Sequence, residues 1–151
     1  PVTGAIEVVH GDVWTAFDAD PKALLLHGVT YGQPAAQGFA ATVLQRVGPQ
    51  ARLAHVPALP GEVAVVSSRI LAGVSQRNYG KADARLIEEV VKRACAVARH
   101  RKASALLMPC IGAGLGRLSQ EDALNAIARG AVDVDVPVRV FLLVDMPPTG
   151  D

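Results

Sequence analysis

The stretch that most constrains this chain is Ala103 to Arg117, Ala-Ser-Ala-Leu-Leu-Met-Pro-Cys-Ile-Gly-Ala-Gly-Leu-Gly-Arg. A short apolar run enters three alternating glycines, Gly112, Gly114 and Gly116, and an acidic helix start, Ser119-Gln120-Glu121-Asp122, follows. An apolar run of this length bounded by glycine reads as a buried strand. Glycines at a strand end permit φ > 0 and leave no Cβ in the way, so their N–H groups can converge on an anion. The positive end of the following helix is expected to add to that field. Strand, glycine loop and helix together make a phosphate-binding layout. The bland alternative is a tight strand-to-helix turn with no ligand.

The loop also excludes two common phosphate motifs. A dinucleotide fingerprint needs glycine at its first, third and sixth places, and here the sixth is Arg117. A nucleoside-triphosphate P-loop needs Lys-Ser or Lys-Thr after the glycines, and neither is present.

The rest of the chain supports one domain of 151 residues, with its core over about residues 5–145. Only 4% of residues are aromatic although 50% are apolar, so Ala, Val, Leu and Ile must build the core. A net charge of +1 gives no electrostatic case for unmodified nucleic acid or an anionic membrane as partner. No apolar run approaches a membrane span, and the first residues lack a basic segment followed by an apolar one, so a cytoplasmic location is expected. Cys95 and Cys110 form neither a metal motif nor a disulfide framework and read as buried thiols, with Cys110 close enough to the loop to be weighed as a redox or nucleophilic group. No metal or cofactor is implied, and nothing specifies an oligomer.

Taken in order, Ala5 to His10 is strand-like, and Gly11-Asp12 ends it. Asp12-Val13-Trp14 leads into an expected polar turn through Asp18, Asp20 and Pro21. Ala23 to His27 is fully apolar up to its histidine and reads as a central strand, opening into a loop from Gly28 to Gly38. A helix is expected over Ala35 to Val47, stopped by Gly48-Pro49, and a short edge strand over Arg52 to Val56, bounded by Pro57 and Pro60. Glu62 to Val66 and Arg69 to Ser75 read as two further strands, the second ending in a loop from Gln76 to Gly80. A long amphipathic helix covers about Asp83 to Lys102, its basic last turn suited to the negative end of the helix dipole. After the glycine loop come a helix over about Gln120 to Arg129 and a last strand from Pro137 to Val144, ended by Pro147 and Pro148. About six strands interleaved with three helices specify a three-layer α/β protein with a mixed sheet flanked by helices. Ligands in such sheets bind at the carboxyl ends of central strands, where the loops Gly28 to Gly38, Gln76 to Gly80 and Ile111 to Arg117 are expected to converge on one cleft.

Four segments together resemble the macrodomain family: Gly11-Asp12 after the first strand, His27 through Gly38-Phe39, Ser75-Gln76-x-x-Tyr79-Gly80, and Met108-Pro-Cys-Ile-Gly-Ala-Gly-Leu-Gly-Arg117. The last is similar to the Met-Pro-x-Ile-Gly-x-Gly-Leu loop of the subclass containing the terminal ADP-ribose protein glycohydrolase. The resemblance runs from about Ile6 to Val144 and implies a macrodomain-like fold and ADP-ribose, or ADP-ribosylated protein or nucleic acid, as partner. By that resemblance Asp12 accepts from the adenine amino group with Val13 against the ring. The diphosphate lies on Ile111, Gly112, Ala113, Gly114, Leu115, Gly116 and Arg117, and the loop ending in Gly38 and Phe39 wraps the distal ribose. Read without the resemblance, Asp12 is an ordinary turn residue, His10 and His27 are core or turn histidines, and Arg117 is a surface charge at a helix start.

The sequence departs from the family at the reacting end. Many macrodomains carry an asparagine where this chain has Thr30, and the glycohydrolase subclass has an aspartate where this chain has Gly116. That subclass also uses a lysine in the strand region after the first helix, which here reads Ser67-Ser68-Arg69. A covalent lysine mechanism does not carry over. The remaining catalytic candidates are Thr30, Tyr31, Gln33 and Gln76, which can orient a water for attack at the anomeric carbon but are not bases at neutral pH. The resemblance implies an ADP-ribosyl hydrolase, removing ADP-ribose from modified proteins or nucleic-acid ends, as the expected function; the alternatives are non-catalytic binding of ADP-ribose and hydrolysis of ADP-ribose 1''-phosphate or O-acetyl-ADP-ribose.

Overall fold

The structure is a computed structural model that describes residues 5–143. Its elements run β1 (Glu7–His10), α1 (Val13–Ala19), β2 (Leu24–Thr30), α2 (Phe39–Val47), β3 (Val63–Ser67), β4 (Ile70–Asn78), β5 (Lys81–Ala82), α3 (Ala84–His100), β6 (Leu106–Pro109), α4 (Gln120–Gly130) and β7 (Val138–Leu142). One mixed sheet has the order β1-β7-β6-β2-β4-β3, with β5 paired to the end of β4. The pairs from β1 to β4 along this order are parallel, while β3 and β5 run antiparallel to β4. The carboxyl ends of the central strands therefore point the same way.

Alternation along the strands builds the three layers. Leu24 and Leu26 of β2, with Leu106 and Met108 of β6, pack under Ile87, Val90 and Ala94 of α3 and Ile127 of α4. The intervening Leu25 and Leu107 pack on the other face against Val13, Trp14 and Phe17 of α1 and Val43 of α2. The second face has an aromatic centre: Trp14 stacks on Phe39 at 5.4 Å and meets Phe17 edge-on at 5.4 Å, while the Arg46 guanidinium lies 4.3 Å over the Trp14 ring. Helix α3 starts where Asp83 accepts hydrogen bonds from Arg85 N (2.8 Å) and Leu86 N (3.3 Å). Among the described residues no helix is long and apolar enough to cross a membrane.

The three-layer mixed sheet agrees with the sequence, and four details differ. The expected polar turn after Asp12 is helix α1, because Asp12 accepts from Trp14 N (3.1 Å) as an N-cap and Val13, Trp14 and Phe17 all face the core. Helix α2 begins at Phe39 rather than Ala35, since Gly38 precedes it at φ 62°, outside the helical region. Residues 52–56 are not a strand: a 3-10 turn, Pro49–Arg52, with proline at its start, passes into further turns. Strand β4 continues through Asn78 to form a hairpin with β5, so the described residues hold seven strands and four helices instead of six and three. Val144, Pro147 and Pro148 lie outside the described residues.

Candidate functional site

At the carboxyl ends of β2, β4 and β6 lies a cleft of about 690 Å³. All three loops singled out in the sequence contribute to its lining: Gly28 to Thr30 and Pro34 to Ala40 from β2 and α2, Ser75, Gln76, Tyr79 and Gly80 from β4, and Pro109 to Gly112 with Gly114 to Arg117 from β6.

The β6 loop is shaped by three main-chain hydrogen bonds within it and a fourth from β5, Ala82 N donating to Gly116 O (3.0 Å). Ala113 N donates to Cys110 O (3.2 Å), Arg117 N to Gly114 O (3.1 Å) and Leu118 N to Gly112 O (2.8 Å). The amides of Gly112, Gly114, Leu115 and Gly116 have no acceptor among the described residues, and all four residues line the cleft. Each glycine has its own reason. Gly112 sits at φ 94°, which an L side chain resists. A Cβ on Gly116 would lie 2.6 Å from Ala82 Cβ and 2.8 Å from Gly112 O, whereas a Cβ on Gly114 would meet nothing within 4 Å. Only Gly112 of the three takes positive φ; the other positive φ in this segment belongs to Arg117, at 65°.

The helix end that serves the cleft is not the expected one. Helix α4 starts three residues after Arg117, with Ser119 accepting from Asp122 N (3.0 Å) and Glu121 and Asp122 in its first turn, so its positive end is already answered. Helix α2 does line the cleft. Its N-cap is Gly38, which offers no side chain, and the amides of Gln37, Gly38, Phe39 and Ala40 have no acceptor among the described residues. Two sets of free amides, one from the β6 loop and one from α2, thus border one cavity. The Leu115 side chain comes against Gly38, where a Cβ would lie 2.9 Å from Leu115 Cδ1. Tyr79 Oη donates to Pro34 O (3.2 Å), tying the β2 and β4 loops together.

On the β4 side, Thr30 and Gln76 are buried and joined, Gln76 Nε2 donating to Thr30 Oγ1 at 2.6 Å. Arg117 lies with its guanidinium about 3.8 Å from where a Gly80 Cβ would stand, and it forms no ion pair among the described residues. The titratable groups of the lining are Tyr79, Cys110 and Arg117, with no carboxylate, lysine or histidine beside them among the described residues. Burial pushes the Cys110 thiol up to about 11, so it stays protonated at neutral pH and is a poor nucleophile. Cys95 and Cys110 are both free.

Five sequence candidates fall outside the lining. Gln33 N donates to Thr30 O (3.2 Å), and this turn carries Tyr31 and Gln33 away from the cleft as exposed residues. Ala113 is absent from the lining, its amide turned back to Cys110. Val13 is 4% exposed and packs into the α1 core, so its side chain has no free face for a ring. Asp12 also lies beyond the lining, exposed at the β1 end of the same sheet edge with its carboxylate capping α1.

The segment matched to the family's lysine proves to be at the wrong end of the sheet. Residues 67–69 form the β3–β4 hairpin, beside the start of β2, and Arg69 donates there to Ala23 O (3.0 Å), Phe17 O (2.7 Å) and Asp20 O (2.6 Å). Ser75 and Gln76, six and seven residues beyond Arg69 in β4, are the ones that reach the cleft.

The fold as a whole is similar to that of solved structures. The macrodomain of Thermus aquaticus DarG matches with a TM-score of 0.71 at 19% identity, over 91% of this chain and 97% of that one. The fold is that of a macrodomain. The Mycobacterium tuberculosis DarG macrodomain gives 0.72 at 19% identity, over 90% and 97% of the two chains. Thermosipho africanus DarTG, solved in complex with ADP-ribose, gives 0.71 at 17% identity over 93% of this chain and 42% of the longer one. No protein-family profile matches the sequence, and no curated protein matches it.

Proposed function

We propose that this macrodomain binds ADP-ribose in the cleft, the diphosphate held by main-chain amides. The observation that carries this reading is the pairing of two uncapped amide sets, from residues 112–116 and from the start of α2, on one cavity without a competing carboxylate. Main-chain N–H groups and a helix N-terminus suit a dianionic bridge. The length also fits: from β1, with Asp12, to β4, with Gln76, the sheet order spans four inter-strand gaps, roughly 19 Å at ~4.8 Å each, the reach of an extended dinucleotide-sized ligand. Adenine at Asp12 and the distal ribose at Thr30, Gln76 and Tyr79 follow from that orientation. The structure in Thermosipho africanus DarTG with ADP-ribose is a fold-level precedent for such a ligand.

A second reading, hydrolysis of ADP-ribosyl linkages on proteins or nucleic-acid ends, is favoured by the buried Thr30–Gln76 pair. Its hydroxyl and amide can hold a water near the anomeric carbon. The water oxygen bonds to that carbon as the bond to the leaving group breaks, and a proton passes to the leaving group or to solvent. Without a base in the lining, the rate rests on positioning and on the ligand's own diphosphate.

Calorimetric titration with ADP-ribose tests the binding, and the absence of heat refutes it. Incubation with ADP-ribosylated protein and ADP-ribosylated oligonucleotide tests the hydrolysis: no release where the ligand binds tightly leaves binding alone. ADP-ribose 1''-phosphate and O-acetyl-ADP-ribose in the same assay decide whether a small derivative is the substrate.

A further inference from the structure

The connector between α2 and β3 contains one fully buried histidine, His55, at 0% exposure. Its Nε2 lies 2.6 Å from the carbonyl oxygen of Gln33, so that nitrogen carries a proton and donates it. Gln33 belongs to the cleft loop, residues 31–38. Main-chain bonds restrain this loop at three places: Tyr31 N to Gln76 O (2.9 Å), Gln33 N to Thr30 O (3.2 Å) and Ala35 N to Arg52 O (2.9 Å). The connector therefore grips the loop twice, through Arg52 O and through His55. It also packs beneath it, with Ala35, Ala40 and Ala58 in one apolar cluster. Just beyond these grips come Gln37 and Gly38, whose free amides border the cavity. With no hydrogen bond of their own, those amides take their direction from how the chain is held at residues 33 to 35, where Tyr79 Oη also donates to Pro34 O (3.2 Å).

We infer that His55 is a positioning residue for anion recognition: it never touches the ligand, and its Nε2–H sets the loop that presents the α2-side amides to the diphosphate. The inference rests on the ADP-ribose reading for its ligand, and not for its structural half. A leucine at 55 fills the space but leaves the Gln33 carbonyl without a donor, while a glutamine places an N–H near the position of Nε2.

The test compares His55→Leu and His55→Gln by ADP-ribose calorimetry and by amide hydrogen exchange in the free protein. The leucine variant is expected to bind about five- to tenfold more weakly, as for one lost hydrogen bond. The Ala35 amide should exchange about tenfold faster, with Leu25 and Val74 unchanged as internal references. The glutamine variant is expected to return both values to within about threefold of the parent. Equal loss in both variants, or an Ala35 amide unmoved by leucine, overturns the inference. If the parent chain gives no heat with ADP-ribose, the ligand reading fails by itself, and exchange at Ala35 still decides the role of His55. Should the leucine chain not fold, His55→Asn takes its place with the same expectations, since its amide reaches only the position of Nδ1.

Discussion

His27 makes stability depend on pH in a direction and amount that the structure specifies. It stands in β2 at 1% exposure, 6.0 Å from the Phe39 ring, and neither of its ring nitrogens has a hydrogen-bond partner among the described residues. Burial pushes its pKa down from 6.5 to about 4, with the field of His55 acting in the same direction and the Gly28 backbone weakly opposing. The unfolded chain takes up this proton near 6.5 and the folded chain resists until about 4. Between those values the unfolded state binds more protons, so stability falls as the pH falls, and it is fully retained above 6.5. The gap amounts to about 3 kcal/mol, a large part of the ~5–15 kcal/mol typical of a domain. For a chain of this size that is a drop in Tm of about 6–12 °C.

The assay is urea unfolding at a series of pH values for the parent and for His27→Leu, which keeps a side chain of similar size and removes the titration. Carboxylates titrate in both proteins and cancel in the difference. Asp20, for example, is held below its usual value by the Ser104 hydroxyl and the Lys22 amide, and the substitution does not touch it. By pH 4.5 the parent is expected to have lost about 2.5 kcal/mol more than the variant. Parallel curves for the two proteins between pH 7 and 4.5 would refute the reasoning.

Three further outcomes are expected. Asp12→Ser keeps an N-cap for α1, so stability should stay within about 0.5 kcal/mol while ADP-ribose affinity drops by about 1.5–3 kcal/mol; unchanged affinity places adenine elsewhere. Gly114→Val should fold normally, because a Cβ there meets nothing within 4 Å, and should lose ADP-ribose binding, while Gly116→Ala should lose about 2 kcal/mol or more of stability to backbone overlap; the reverse pattern would show that Gly114 is only a turn residue. Arg69→Met should cost about 2–4 kcal/mol in chemical denaturation, through three carbonyls losing their donor, with ADP-ribose affinity unaltered; a weakened affinity would bring residues 67–69 back into the site.

Much of the fold was legible because it is written in periodicity. The apolar runs that become β2 and β6, the stripe of α3 and the glycine loop each carry a local pattern. The missed features have none. Helix α1 is seven residues long, and its cap, Asp12, looks like any turn aspartate until Val13, Trp14 and Phe17 are seen on the core. Within the connector, residues 52–56 read as a short edge strand, but a 3-10 turn over Pro49–Arg52 enters it and a hydrogen bond from His55 to a loop distant in sequence orders it instead. The three converging loops were legible as well, while the fine inventory of the site was not. Counting along the chain toward a family lysine reached residues 67–69, yet a hairpin separates them from the cleft by the length of β4, and Gln76 stands at the site's end. Likewise Tyr31 and Gln33 share a loop with Thr30, but one turn sends them outward.

The two walls of the cleft divide the work between rigidity and grip. Gly112 and Gly116 are needed by the protein itself, one for its φ and one for its contact with Ala82 and the Gly112 carbonyl. Gly114 is needed by neither, and its open side faces the space a ligand would use. Leaving amides unanswered at Gly114, Leu115, Gly38 and Phe39 forgoes hydrogen bonds worth about 1 kcal/mol each, a cost that water offsets in the free protein and that the proposed ligand would offset on binding. Such amides hold their aim only if the backbone around them is fixed by something else. On the β6 side that is the overlap-tight packing of Gly116; on the α2 side it is the connector, through Arg52 and His55. On the proposed reading, a cleft whose lining lacks carboxylate, lysine and histidine can therefore still be selective, because it would recognise the spacing of an anionic bridge rather than a single charge.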